Sequence, residues 1–241
     1  MSSVLVAGTS ASAAALARFL SERGHHVIEV AGGAERPEEL DATWAPVGAD
    51  LVAAFALDVG DDFDADAWTT AVHRISPEAA VAFAWARSGS NGWATQCERW
   101  LERTPPLGGT SPDTWAWPQV HRAIELPADA RAASAARRLV HALGAGAGPV
   151  FEDAVALAVS ELATNAATHG QPPIHLDAVA SDGVVYVGVE DVGSGQLPRR
   201  REAKRFDEAG RGLAIVAAVA DWWGVTSHAG RVLVWCILSS S

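Results

Sequence analysis

Apolar and polar positions change their rhythm part-way along this chain. In the first half, short apolar runs at residues 4–7, 26–30, 50–57 and 79–86 alternate with stretches of helical period at residues 11–23 and 65–74. A run of four to eight apolar residues bounded by glycine or polar residues suits a buried strand, whereas apolar spacing near 3.6 suits a helix. Gly24 stops the first helix, whose alanine-rich body follows Gly8, Thr9 and Ser10. Residues 91–103 read as a further helix with Trp93, Cys97, Trp100 and Leu101 on one face. Strand and helix taken in strict alternation predict a parallel, doubly wound sheet over residues 1–112.

The second half keeps a different order. A short strand at 123–126 leads through Pro127 into a helix at 128–143, then a loop and a long helix at 150–169. Two strands follow at 174–180 and 184–190, joined by Ser181, Asp182 and Gly183. After a loop rich in glycine and arginine come a helix at 213–220 and strands at 224–228 and 231–238. Helices grouped against hairpin-like strands predict an α+β sandwich over residues 119–241. Between the halves, residues 104–118 concentrate proline and glycine with Trp115 and Trp117, and the domain boundary is placed there.

Composition narrows the field. Hydrophobic residues make up 49% and charged ones 20%, which suits a soluble globular protein rather than a disordered chain. No apolar stretch is long enough to span a bilayer and no cleavable leader is apparent, so a cytoplasmic protein without a membrane partner is expected. The charge is −11, divided as 7 basic against 16 acidic residues in 1–118 and 11 against 13 in 119–241. Neither half carries the basic face that nucleic acid requires, so no direct nucleic-acid contact is expected. Lys204 is the only lysine, which disfavours chemistry built on a buried amine. Cys97 and Cys236 are far apart and read as two free thiols.

Three segments of the second half carry candidate chemistry. Glu161, Asn165 and His169 fall at i, i+4 and i+8 of the long helix, one polar stripe on a segment whose other face holds Phe151, Val155, Ala158 and Leu162. A carboxylate, an amide oxygen and an imidazole stacked in this way can orient a hydroxyl, ligate a hard cation and meet phosphate. Asp191 follows a strand and leads into Gly193 and Gly195; it can accept from an amino group, while the glycines admit a flat base. Gly210, Arg211 and Gly212 then open the helix that begins with Leu213, where N–H groups and the helix dipole favour phosphate.

In this order and at these separations the three segments resemble the histidine-kinase-like ATPases: an N box at residues 161–169 and glycine boxes at 191–195 and 210–212. Within that superfamily the resemblance is closest to the anti-sigma-factor serine/threonine kinases, carried by Glu125, Leu126, Pro127 and Asp129, by residues 159–165, and by residues 210–216 with Asp221, Trp223 and Gly224. It covers about half the chain. The resemblance implies an ATP- and Mg²⁺-binding regulator that phosphorylates a partner, an anti-anti-sigma or sigma-like protein, with a homodimer left open. It implies Glu161 as catalytic base or orienting residue and Asn165 as the Mg²⁺ ligand. Asp191 would read adenine, Gly193 and Gly195 would border it, and Gly210, Arg211, Gly212 and Leu213 would take phosphate, with His169 nearby. Residues 196–209, with Arg199, Arg200, Arg201, Lys204 and Arg205, would form the lid. No dimerisation helix with a substrate histidine precedes the domain, since His121 precedes a strand and His141 lies in an alanine-rich helix; a sensor histidine kinase is disfavoured. The competing readings are a non-catalytic module whose interaction surface ATP controls, and an enzymatic or ligand-sensing first domain with the ATPase as accessory.

The first domain reads as flavodoxin-like or Rossmann-like. Gly8, Ser10 and Ala13 with Glu29 suggest a dinucleotide fingerprint, but two of its three glycines are missing. The segment looks slightly more like a response-regulator receiver, with Gly8 and Thr9 where an acidic pair is expected and Phe55 where the phosphoacceptor aspartate would be. A degenerate receiver of that kind could not take phosphate. Asp58, Asp61, Asp62, Asp64 and Asp66 read as a solvated acidic loop, and Trp68 and Trp85 as packing residues.

Overall fold

The computed structural model describes residues 3–8, 11–22, 24–30, 51–57, 63–86, 120–141, 143, 148–181, 183–193, 211–228 and 230–240. The helix expected at 91–103 and the break at 104–118 lie outside them. Contacts divide the chain into two compact units, with the main division between residues 116 and 117.

Strand and helix alternate in the first unit: β1 (Ser3–Ala7), α1 (Ala11–Glu22), β2 (His26–Val30), β3 (Leu51–Leu57), α2 (Ala65–Ile75) and β4 (Ala80–Ala86). The strands are parallel and ordered β2-β1-β3-β4. Central parallel strands lie between two covered faces and read as unbroken apolar runs, as β1 does with every residue buried. Asp64 starts α2 by accepting the Ala67 N–H at 3.0 Å, so this member of the acidic run is a helix cap. The buried face of α2 carries Trp68, whose ring centroid lies 5.7 Å from that of Phe83 and 6.4 Å from that of Phe63. Gly8 leaves β1 at φ +144, and a Cβ there would approach the Leu57 carbonyl to 3.0 Å and the Ala13 Cβ to 3.1 Å. That crowding is what makes glycine necessary between β1 and α1.

Strands β5 (Val120–Leu126), β6 (Gln171–Ser181), β7 (Val184–Val192), β9 (Arg231–Ser239) and, as far as Val225, β8 (Trp222–His228) belong to the second unit. Its helices are α3 (Ala132–His141), α4 (Pro149–His169) and α5 (Arg211–Val219). The sheet runs β8-β9-β7-β6-β5, antiparallel at β5/β6, β6/β7 and β7/β9. Ile174, Leu176 and Ala178 on β6 share one buried face with Val185, Val187 and Val189 on β7 and Val232, Val234 and Cys236 on β9. The period-2 pattern thus places one apolar face of the sheet under the helices. Helix α4 packs on β6, β7 and β9 and lies beside both α3 and α5. Among the described residues, α3 and α4 lie on this sheet and α5 lies beside α4.

Helix α4 positions most of the candidate chemistry, and its sequence explains it. Pro149 occupies the first turn, where its missing N–H costs nothing. Val155, Ala158, Val159, Leu162, Ala163 and Ala166 form a buried stripe at helical spacing. Gly170 ends the helix with its N–H bonded to the Ala166 carbonyl. Elsewhere the boundaries shift for local reasons. Helix α3 starts at Ala132 rather than 128, because the Asp129 carboxylate accepts the Arg131 N–H at 2.8 Å and makes a turn of residues 128–131. Strand β6 starts at Gln171 rather than 174, paired with Val192 across a register shift.

Candidate functional site

The first candidate segment lies on α4, and the described parts of the other two meet it. Near its middle, Glu161 meets the start of α5: a Cβ built on Gly212 would come within 2.9 Å of the Glu161 Oε2. At its C-terminus, Gly170 meets the end of β7: a Cβ built there would lie 2.5 Å from the Asp191 Cγ and 2.6 Å from its Oδ2. Glycine at both positions lets a carboxylate close against the backbone. From residue 161 to residue 170 the helix advances about 13 Å at its ordinary rise.

Asn165 lies between these ends on the same stripe, partly exposed, and His169 is exposed one turn further on. Among the described residues, neither Glu161 nor Asn165 is tied into a hydrogen bond or ion pair. No group of three or more His, Cys, Asp or Glu suited to a metal occurs among the described residues. Asn165 offers an amide oxygen at this stripe, a hard ligand of the kind that Mg²⁺ takes alongside phosphate and water.

Asp191 is buried, with 7% of its surface exposed. Burial pushes its carboxyl above the usual carboxylate range, a backbone hydrogen bond from Gln171 and the charge of Arg231 act against that rise, and Glu190 adds to it. A desolvated carboxyl with few internal partners is a poor structural investment, and groups perturbed in this way concentrate at functional sites. Beyond it, the Gly193 N–H donates to the Gly230 carbonyl at 3.0 Å. The close approach at Gly193 is to β9, since a Cβ there would come within 2.8 Å of the Val232 Cγ2.

Residues 126–237 match the family model of the Histidine kinase-like ATPase domain. Residues 126–237 form a histidine kinase-like ATPase domain. That family points to ATP binding. No curated protein is similar enough to the chain to count as a match.

Within the ATPase domain, Leu213 is buried in the first turn of α5, which begins at Arg211, so Gly212 sits inside the helix rather than before it. Gly195, Gly210 and the lid at 196–209 lie outside the described residues. Asp221 is structural: its Oδ2 accepts the Ser239 N–H at 2.8 Å, and its own N–H bonds the Ile237 carbonyl. The motifs did not single out Gly170, which follows the end of the long helix and whose approach to Asp191 leaves no mark in the chain. They also passed over Arg231, whose Nε donates to the Glu190 Oε1 at 2.6 Å. Pattern cannot register either one, because each acts across elements far apart in sequence.

In the first unit, Phe55 is buried within β3, opposite Val6 on β1 and Ala82 on β4. Glu29 is exposed on β2, opposite Val6. Among the described residues, no helix is long and apolar enough to cross a membrane.

Proposed function

We propose that the ATPase domain binds Mg²⁺–ATP along α4 and transfers its terminal phosphoryl group to a serine or threonine of a partner protein, in the manner of the anti-sigma-factor kinases. One observation carries this reading: a single helix holds one carboxylate against Gly212 at the start of α5 and ends in Gly170 against a second, buried carboxylate. Asp191 accepts a hydrogen bond from the adenine amino group, and the backbone at Gly193 borders the base. The N-terminus of α5, with Gly210, Arg211 and Gly212, receives phosphate through its N–H groups. Asn165 would hold Mg²⁺, which offsets negative charge on the phosphate oxygens when bound. Glu161 orients the attacking hydroxyl and accepts its proton as the new P–O bond forms, while the bond to the ADP oxygen breaks and ADP leaves.

The parallel order β2-β1-β3-β4 of the first unit supports a flavodoxin-like domain, since a Rossmann sheet places β4 rather than β3 beside β1. We read it as a regulatory domain that does not itself take phosphate.

Calorimetry of the full chain with Mg²⁺–ATP, followed by a phosphoryl-transfer assay on candidate partners, tests the reading. Saturable ATP binding that Asp191→Asn abolishes is expected, with transfer lost in Glu161→Ala. Binding with no transfer to any partner, and partner affinity that still depends on ATP, would leave a nucleotide-gated interaction module instead.

A further inference from the structure

Strand β7 delivers Asp191 and Gly193 to the site at its very end, where a strand has fewest neighbours to hold it. Three features secure that end. Arg231, the first residue of β9, lies opposite Val192, and its guanidinium reaches diagonally to Glu190, with Nε 2.6 Å from Oε1. The Gly193 N–H···O Gly230 bond of 3.0 Å carries the pairing one step past Arg231. Gly193 itself can lie this close to β9 only because it has no side chain to meet Val232. By strand alternation Glu190, Val192 and Arg231 share one face and Asp191, opposite Val232, takes the other. The ion pair is therefore on the back of the strand and acts on the site through the backbone.

We propose that the Glu190–Arg231 pair is a brace that holds the end of β7 against β9 and so positions Asp191 for base recognition. This rests on the ATP-binding reading of the same site. Glu190 and Arg231 are positioning residues, with a second, electrostatic effect. Arg231 favours the ionised form of the Asp191 carboxyl and Glu190 opposes it. The other groups around Asp191 are Gly170 at the end of α4, with exposed His169 beside it, and the uncharged N–H of Gln171 on β6. His175 lies opposite Glu190 on β6.

The test uses the full chain, with amide hydrogen exchange at Gly193 and Mg²⁺–ATP affinity measured across pH. Arg231→Gln should weaken ATP by about two- to fivefold, the range for a pair whose partners are each about a third exposed. Exchange at Gly193 should quicken while mid-strand amides of β7 stay unchanged, and Arg231→Lys should restore most of both. Glu190→Gln should quicken exchange in the same way. The acid limb of ATP binding should move to higher pH in Arg231→Gln and to lower pH in Glu190→Gln, a split that a purely structural role does not produce. Wild-type exchange at Gly193 in both variants overturns the brace, and so does a common direction of the pH shift. If wild type binds no ATP, the binding reading fails, and exchange at Gly193 still decides for or against the brace. If Arg231→Gln does not fold, Glu190→Gln supplies the same readouts.

Discussion

On the ATP-binding reading, Asp191 puts function and stability in opposition within one side chain. Its carboxyl is held above the usual range by burial, so the folded chain binds that proton more tightly than the unfolded chain does. By linkage, its contribution to stability is greatest in acid and falls as pH rises from the ordinary carboxylate range through the raised value. Asp191→Asn keeps an oxygen for the Gln171 N–H and removes the charge. Without nucleotide at neutral pH its melting temperature should therefore rise, and the gain should vanish in acid. Calorimetric ATP binding should be lost in the same variant, and a variant that both binds ATP and melts like wild type contradicts this account. Gly212→Ala acts on the other carboxylate. Its Cβ would sit 2.9 Å from the Glu161 Oε2, the free end of a flexible side chain, so that carboxylate moves and the helix stays. Turnover should fall tenfold or more (roughly, as for loss of a positioned general base) while stability changes little. Equal losses in affinity and turnover would point to a phosphate-binding role alone.

At the scale of elements, α4 is both core and site. Its buried stripe anchors the helix on β6, β7 and β9, and its polar stripe carries Glu161, Asn165 and His169. Truncating the stripe should destabilise the fold: Leu162→Ala, at 1% exposure, should cost about 2–5 kcal/mol in denaturant unfolding. Gly170→Ala should cost about 1–3 kcal/mol as overpacking, because its Cβ would lie 2.7 Å from the Ala166 carbonyl as well as against Asp191. It should also weaken ATP binding, whereas Leu162→Ala in its folded fraction should not. An unchanged unfolding midpoint for Gly170→Ala would show that the end of α4 can give way. The helix and its two faces were legible from spacing alone. What spacing could not show was that Gly170 does more than stop the helix.

For the whole molecule, the two units make different chemical commitments. The first has buried Phe55 in mid-sheet, where a phosphoacceptor carboxylate would need water and a cation. Incubated with acetyl phosphate and Mg²⁺, residues 1–112 should gain no acyl-phosphate by mass spectrometry, and an adduct there would refute the reading that this domain does not itself take phosphate. The second unit holds Cys236 buried in β9, its thiol pushed up to about 12 by burial. In a Cys97→Ser background a thiol reagent at pH 8 should therefore label Cys236 only as the chain unfolds, and the labelling rate then reports global opening.

By itself the sequence determined the order of the described strands and helices, the apolar stripe of α4 and the family to which residues 126–237 are matched. Each of these is written in local spacing, and a 2.0 or 3.6 period survives without knowledge of any partner. Only the tertiary structure decided that Glu161 faces Gly212, that Asp191 is buried against Gly170, and that Arg231 reaches Glu190 from 41 residues away. It also decided the strand order β2-β1-β3-β4, since alternation predicts parallel strands without saying which are neighbours. These are consequences of strand pairing and helix packing, which bring together residues whose separation along the chain carries no periodic signal.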